Sequence, residues 1–400
     1  MKRATSNAEP ATSTQTGGPE DPGRSDVSAA DAWGSSFLQE VLTATYWFDP
    51  GDNGRPLSAT IRFSGRRLGV IGKPESGDSF RREETVHGIV PGSGPVSITA
   101  IIRNITPGEW TISAEPLIRK GSGRAVRSYP WSHLGPRIVR PAFSYWRRPE
   151  TGAGSALPVK TALLPFARVP GVVPGAWPAL VSLGVLLGVV IQVMLMARAG
   201  IDVRSGLAVL LLAIVCGLVG AKLWAVAANW RSWRTSLIEQ MYIQGFIVGS
   251  VLVLSAGLVL VRLPVGTFLD AVAPGMFFGM VVGRQGCFFG GCCAGRLTCS
   301  QWGLWASDRR IGGRRIPTQV LESLVCLVIG LAGLGLVLGG LSLKQGSVFA
   351  GALATYTLAR QLLLPLRSEP RKTSYGRWLI MTAAGLALLA AVAVNVAFTS

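Results

Sequence analysis

The first 200 residues of this 400-residue sequence contain no cysteine, and the whole chain has only two histidines, His87 and His133. Without cysteines, the N-terminal part cannot be a disulfide scaffold of the kind found in small secreted domains. Because no histidine follows His133, the C-terminal part can contain neither an imidazole metal ligand nor a histidine base.

Acidic residues are also scarce, with 21 Asp and Glu against 39 Lys and Arg, which gives a formal net charge of +18. A nucleic-acid partner would require a basic face on a soluble domain. Most of the excess charge lies instead in short loops between apolar runs, where Lys and Arg meet anionic headgroups and set topology. We therefore expect a membrane as the partner and no nucleic acid.

The N-terminal part predicts a tail, a small soluble domain and a linker. No apolar segment follows Lys2 and Arg3, so the start does not have the form of a secretory signal peptide. Residues 1–36 are rich in Ser, Thr, Gly and Pro, which predicts a disordered tail. Residues 37–120 contain four segments of alternating apolar and polar side chains, which predict a β-sandwich-like soluble domain of immunoglobulin or fibronectin kind. A linker is expected over residues 121–175.

The part from residue 176 to residue 400 is dominated by Leu, Val, Ala and Gly. Its seven apolar runs lie at about 177–197, 206–228, 244–261, 266–289, 318–341, 346–366 and 378–398. Each is near the ~20 residues that cross a hydrocarbon core, and lipid leaves the backbone no alternative to helix. The expected fold class is an all-α polytopic membrane domain of about seven transmembrane helices, preceded by the β-sandwich-like domain. Close glycine spacing, as at Gly184 and Gly188, predicts close helix contacts.

Charged side chains within or beside these runs are costly in lipid and therefore indicate function. They are Lys222, Asp270, Arg284, Glu322, Arg360 and Arg367. Arg284 lies among glycines that would let a ligand approach closely, and its planar guanidinium suits a phosphate or carboxylate. Arg360 and Arg367 are seven residues apart and share a helix face. Three converging arginines predict an anionic ligand with an apolar body, such as a phospholipid. The alternative is that the arginines extend to the membrane interface.

Four cysteines follow Arg284 with the spacing C-x4-C-C-x5-C, at Cys287, Cys292, Cys293 and Cys299. This is not the paired C-x2-C of structural zinc, no histidine is near, and adjacent cysteines seldom bind one tetrahedral ion together. We therefore expect no metal. A redox role beside an arginine is a second possibility, and small packing residues are the interpretation that the pattern favours.

Several segments resemble one enzyme family. GRQGCFFGGCCAGRLT, from Gly283 to Thr298, resembles the signature of the prolipoprotein diacylglyceryl transferase family in its cysteine-rich branch. LDAVAPG, GAKLW and RRIPTQVLES are similar to other family segments, and the spacing of Arg360 and Arg367 matches as well. The motifs occur in family order over residues 175–400.

The resemblance implies a bacterial membrane enzyme that moves a diacylglyceryl group from phosphatidylglycerol to the lipobox cysteine of a preprolipoprotein, without a cofactor. On that basis Arg284 and Arg360 would bind the phosphate and stabilise charge on the leaving group. The substrate site would be completed by Gly283, Gly286, Cys287, Gly295, Glu322, Arg367 and Lys222.

The chain departs from the family pattern where a proton must be moved. Gln244 stands where the family has a histidine that is proposed to take the thiol proton, and glutamine cannot act as a base near neutral pH. Gln244 is kept as a candidate catalytic position. Two other functions stay open: a non-catalytic phospholipid-binding scaffold or sensor of the same family, and a thiol redox or metal-binding membrane protein.

We expect a multi-pass protein of the bacterial cell membrane, but two indications of its orientation disagree. With seven spans, the loops after the second, fourth and sixth share a side with the N-terminal domain and carry most of the loop arginines. The positive-inside rule places that side in the cytoplasm, whereas the resemblance implies that it faces outward. The side of the N-terminal domain is therefore left open.

Overall fold

The structure is a computed structural model of the chain. It describes residues 40–48, 50–51, 54–73, 75–103, 105–117, 158–160, 162–163, 169–230, 233, 242–339, 344–368 and 375–399. The predicted disordered tail, His133 and most of the predicted linker lie outside these residues.

The chain forms two compact units. The first, which we call the sheet unit, comprises Met1–Leu180, Arg284–Glu322 and Leu363–Ser374 as far as these are described. The second, the helical unit, comprises Val181–Gly283, Ser323–Leu362 and Tyr375–Ser400.

Two antiparallel sheets make up most of the sheet unit. The strands are β1 (Glu40–Phe48), β2 (Leu57–Arg67), β3 (Ser79–Ile89), β4 (Val96–Ile102), β5 (Glu109–Leu117), β6 (Pro158–Lys160), β7 (Ala162–Leu163), β8 (Leu304–Ser307) and β9 (Ile311–Arg315). One sheet has the order β7-β1-β4-β9-β8 and the other β3-β2-β5-β6. Alternating side chains of both sheets, such as Tyr46, Ile98, Phe63 and Trp110, are buried in one hydrophobic core. The four segments with an alternating pattern are thus strands, as predicted.

The first sheet also includes a hairpin from much later in the chain. Strands β8 and β9 pair with each other, and β9 pairs with β4 through Ser97 with Gly312 and Ile98 with Ile311. Trp305 of β8 stacks on Trp47 at a centroid distance of 5.5 Å, and its indole N–H donates to the Pro95 carbonyl at 3.0 Å. Leu297 and Ile311 are part of the same core as the N-terminal strands.

This arrangement differs from the predicted domain boundaries in two respects. Strands β6 and β7 occur inside the segment predicted as a linker, and the hairpin of residues 304–315 belongs to the sheet that was expected to end near residue 120. Short two- and three-residue strands carry little sequence signal, and IGGRR in β9 has poor strand propensity.

We expect Gly312→Val to separate β9 from β4. A Cβ atom at Gly312 would overlap the Ser97 hydroxyl and lie 2.7 Å from the Trp305 ring. Overpacking of this kind costs about 1–3 kcal/mol of unfolding free energy. Hydrogen exchange at the Thr99 amide, which donates to the Arg310 carbonyl at 2.7 Å, measures the separation directly.

The matched control is Gly335→Ala, since a Cβ atom at that position would have no described atom within 4 Å outside its chain neighbours and the backbone of its own helix. Alanine there is expected to be neutral or to stabilise by about 0.5–1 kcal/mol, because it restricts the unfolded chain. Equal protection of Thr99 in both variants would contradict the expected role of the β4–β9 pairing.

Helices fill all seven predicted apolar runs. They are α1 (Ala176–Arg198), α2 (Val203–Ala228), α3 (Ile243–Leu260), α4 (Val265–Phe289), α5 (Thr318–Leu338), α6 (Ser347–Leu363) and α7 (Tyr375–Thr399). Five of them are long and apolar enough to cross a membrane, namely α1, α2, α4, α5 and α7. Helix α3 is also apolar over Gln244–Leu260 but is shorter than these five. Helix α6 is shorter than its predicted run because a 3-10 turn containing Pro365 follows it.

Glycines bring helix backbones together within the helical unit. A Cβ atom at Gly188 would lie 2.8 Å from the Gly275 carbonyl oxygen, and one at Gly279 would lie 2.6 Å from the Gly184 carbonyl oxygen. The predicted close contacts at Gly184 and Gly188 are therefore confirmed. Each position excludes a side chain, so these glycines have a packing role.

Asp270, one of the charged residues in the apolar runs, has a structural role. Its two carboxylate oxygens accept from the backbone N–H groups of Gly346 at 2.6 Å and Phe349 at 3.0 Å. These groups lie at the beginning of α6, where backbone donors have no partner within the helix. Asp270 therefore caps α6.

Candidate functional site

Arg284, Glu322 and Arg367 form a buried ion cluster in the sheet unit. Arg284 lies near the end of α4, Glu322 near the beginning of α5, and Arg367 directly after the turn that follows α6. The Arg284 guanidinium is 2.9 Å from Oε1 of Glu322, and the Arg367 guanidinium donates to Oε2 of the same carboxylate at 2.7 Å. Each carboxylate oxygen thus binds a different arginine, and the predicted place of Glu322 in the substrate site stays a prediction.

The three charged side chains of this cluster are largely buried. The Glu322 side chain is 2% exposed and the Arg284 side chain 16% exposed. A buried carboxylate is stable only when paired, and here two guanidiniums pair with it. The cluster still carries one net positive charge, and a guanidinium has five N–H donors. Arg284 is the more exposed of the two arginines, and its predicted contact with a phosphate stays a prediction.

The backbone around Arg367 is held by the loop that follows α4. Gly295 and Arg367 form an antiparallel bridge, and the Arg296 amide donates to the Leu366 carbonyl at 2.9 Å. A Cβ atom at Gly295 would overlap the Ile316 carbonyl. This contact accounts for glycine at position 295 through packing, and its predicted role in substrate binding stays a prediction.

Arg315 also contacts the loop that follows α4. Its fully buried guanidinium donates to the Gly295 carbonyl at 2.8 Å, to the Asp308 carboxylate at 2.7 Å and to the Ile311 carbonyl at 2.9 Å. Burial lowers the pKa of the Arg315 guanidinium, while the charge of Asp308 opposes that shift. Arg315 therefore positions the loop that carries Gly295.

Three of the four cysteines meet beside Arg284. The thiol sulfurs of Cys287, Cys292 and Cys293 all lie within 4.8 Å of one another, and none of the three is in a disulfide. The neighbouring thiols of Cys287 and Cys293, together with burial, raise the pKa of the Cys292 thiol. The sequence pattern did not predict this convergence, because spacing along the chain does not show where a turn reverses direction.

The predicted glycines differ in their surroundings. A Cβ atom at Gly286 would lie 3.2 Å from both the Leu180 Cβ atom and the Trp177 carbonyl oxygen, so this glycine permits close packing of α4 on the beginning of α1. At Gly283, the nearest atom to such a Cβ would be a Val181 methyl at 4.0 Å. Only Gly283 has the open surroundings expected of a position that a ligand approaches.

The other predicted site residues belong to the helical unit. Arg360 is half-buried on α6 and donates to the Tyr356 hydroxyl at 3.0 Å. Lys222 is half-buried on α2, and Gln244 has an exposed side chain in the first turn of α3. The predicted convergence of Arg360 with Arg284 and Arg367 stays a prediction.

Sequence reasoning missed Arg315, Thr318 and Gln319 as parts of the site. Thr318 donates to the Cys293 carbonyl at 3.2 Å and Gln319 donates to the Cys292 carbonyl at 2.9 Å. All three lie in RRIPTQVLES, which was noted only for its resemblance. Their position three to seven residues before Glu322 was the available signal, because the beginning of a helix faces the loop that it supports.

The family resemblance is supported by comparison with known proteins. A family model described as prolipoprotein diacylglyceryl transferase matches residues 175–398, which is more than half of the chain. The matched region contains α1 to α6, all of α7 except its last residue, and the ion cluster. The strands β1–β7 lie outside it.

Three relatives carry the name phosphatidylglycerol–prolipoprotein diacylglyceryl transferase. The protein from Tropheryma whipplei is 27% identical over 175 residues, which cover 40% of this chain and 64% of the relative. The one from Clostridioides difficile is 26% identical over 201 residues, covering 48% and 77%. The one from Synechococcus elongatus is 30% identical over 208 residues, covering 48% and 72%.

The matches and the ion cluster concern the same part of the molecule. The chain spans just under two thirds of the length of the Tropheryma whipplei relative. The shares covered in the other two relatives are larger, and the family match over residues 175–398 includes every motif that carried the resemblance. The chain belongs to the prolipoprotein diacylglyceryl transferase family.

Proposed function

We propose that this protein is a membrane transferase that moves a diacylglyceryl group from phosphatidylglycerol to a cysteine thiol of a prolipoprotein, or to a related acceptor. The observation that supports this function best is the Arg284–Glu322–Arg367 cluster. It carries a net positive charge in a buried place and offers a guanidinium for the lipid phosphate. The protein would be located in the bacterial cell membrane.

In this reaction the acceptor sulfur attacks the glycerol carbon that bears the phosphate. A carbon–sulfur bond forms, the carbon–oxygen bond breaks, and the electron pair stays on the oxygen of glycerol 1-phosphate. Arg284 would stabilise the charge that grows on this phosphate, while Glu322 keeps the guanidinium in a fixed orientation. Arg360 would be a second phosphate contact, and Arg367, Lys222 and Gly283 would take part in substrate binding.

The test uses the full chain reconstituted in vesicles with phosphatidylglycerol labelled in its acyl chains, together with a lipobox peptide. We expect label on the peptide and an equal amount of released glycerol 1-phosphate. The matched control is the same peptide with serine in place of the acceptor cysteine, which should stay unlabelled.

A second function follows from Gln244, which offers no base. If the assay gives no labelled peptide while the protein still binds phosphatidylglycerol, transfer is refuted and the protein is a phospholipid-binding scaffold. Absence of both transfer and lipid binding would contradict both functions.

A further inference from the structure

The three thiols of Cys287, Cys292 and Cys293 are held together by an unusual backbone. Cys293 has a φ of 55°, in the left-handed region that non-glycine residues rarely adopt, and Gly291 has a φ of 66°. Such conformations cost about 1–3 kcal/mol and persist where the surrounding structure enforces them. The beginning of α5 holds the turn of residues 291–293 in this conformation, because Thr318 and Gln319 donate hydrogen bonds to its carbonyls.

The turn overcomes the objection that adjacent cysteines seldom bind one ion. All three sulfurs lie within 4.8 Å of one another. Two sulfurs on one tetrahedral zinc ion are roughly 3.8 Å apart, given Zn–S bonds of ~2.3 Å. Closing the group onto an ion requires side-chain shifts of less than about 1 Å, and thiolates are the ligands that Zn²⁺ prefers.

The group supplies three ligands, whereas tetrahedral zinc takes four. Among the residues that the structure describes, no fourth His, Cys or carboxylate ligand joins it. Zinc with three protein ligands is typical of catalytic sites, where the fourth position takes water or substrate. A thiol that coordinates zinc loses its proton outright.

We propose that Cys287, Cys292 and Cys293 bind Zn²⁺ and that the fourth position of the ion takes the acceptor thiol as a thiolate. This inference rests on the proposed transfer. It explains how the acceptor thiol loses its proton although Gln244 stands where a base is expected. The acceptor proton passes to solvent when the sulfur binds the ion. The bound sulfur keeps a lone pair for attack on the glycerol carbon, and no group is oxidised or reduced.

Location and charge are consistent with this role. Cys287 lies three residues after Arg284, on the same face of α4. Zn²⁺ with three thiolates carries one net negative charge, the bound acceptor thiolate adds a second, and the adjacent ion cluster carries one net positive charge. The attacking sulfur would thus be bound beside the guanidinium that holds the leaving phosphate.

The first test measures metal binding without turnover. The purified full chain in detergent is loaded with Zn²⁺, or with Co²⁺, whose thiolate charge-transfer band grows with the number of bound sulfurs. We expect about one ion per chain. Cys287→Ser, Cys292→Ser and Cys293→Ser should each lose it. Cys299→Ser is the matched control, because Cys299 is exposed and lies outside the group, and it should bind like the unaltered chain.

Addition of the lipobox peptide then tests the fourth position. The Co²⁺ band should increase with the cysteine peptide and stay unchanged with the serine peptide. Binding that is unaffected by the three substitutions, or a band that does not respond to the cysteine peptide, would overturn the inference. So would thiol titration of freshly purified protein that shows a disulfide within the group in place of bound metal.

The transfer assay separates this inference from the proposed function. Chelation should reduce label transfer by about 10²-fold or more, the usual contribution of a base, and Zn²⁺ but not Mg²⁺ should restore it. Phosphatidylglycerol binding should not change. Full transfer after chelation would overturn the zinc proposal and leave the transferase intact. A Co²⁺ band that responds to the peptide in a protein that transfers nothing would refute only the transferase.

Discussion

Arg284→Ala is expected to weaken phosphatidylglycerol binding by about 10- to 100-fold, as expected for loss of hydrogen bonds to a charged group. If transfer occurs, its rate should fall by about 10²- to 10³-fold, because the growing charge on the leaving phosphate loses a fixed donor. The fold should survive, since Glu322 keeps its 2.7 Å contact with Arg367. Binding is measured by equilibrium titration with labelled lipid and transfer with the lipobox peptide.

Two further variants make this result specific. Arg284→Lys keeps the charge but loses the planar fork, so its binding should be intermediate. Arg310→Ala removes an arginine from the exposed turn between β8 and β9 and should bind lipid normally. If Arg284→Ala and Arg310→Ala bind phosphatidylglycerol equally well, Arg284 is not the phosphate contact.

Glu322→Gln is expected to have the largest effect on stability. It removes the negative charge that both guanidiniums share, and it leaves Arg284 and Arg367 close together without a counter-ion in a buried place. Breaking a buried pair in this way costs about 3–5 kcal/mol of unfolding free energy. The measurement is the unfolding midpoint of the purified protein in detergent.

The matched control is Glu83→Gln, which breaks the 2.9 Å ion pair between Glu83 and Arg62. Both side chains of that pair are about 30% exposed, and such pairs contribute about 0–1 kcal/mol. Similar midpoints for the two variants would mean that Glu322 is not essential to the cluster. A strong loss of stability in Glu322→Gln alone would support its role as the shared counter-ion.

The helices were largely predictable, because an apolar run long enough to cross lipid must form a helix to satisfy its backbone hydrogen bonds. All seven runs became helices, and their ends moved by a few residues at most, as at α5 and α6. The candidate anion site was also found in part. Arg284, Glu322 and Arg367 were noticed because a charge in an apolar run is costly, and that argument needs no knowledge of their partners.

The thiol group and the hairpin were not predictable in the same way. Whether Cys292 and Cys293 face one point depends on a turn with two left-handed residues, Gly291 and Cys293. Whether β9 pairs with β4 depends on segments more than 200 residues apart. Spacing along the chain carries no information on either contact. The role of Arg315 was not predictable for the same reason, because its contacts with Gly295 and Asp308 exist only in the folded loop.

The sequence by itself determined the apolar helices, the alternating strands, the family and the residue types available for chemistry, because composition and periodicity act locally. The tertiary structure decided that two arginines share one carboxylate, that three cysteines share one place, and that the loop after α4 completes the N-terminal sheet. These contacts join residues far apart in the chain. They form only when packing compensates the entropy of closing long loops, which no local pattern records.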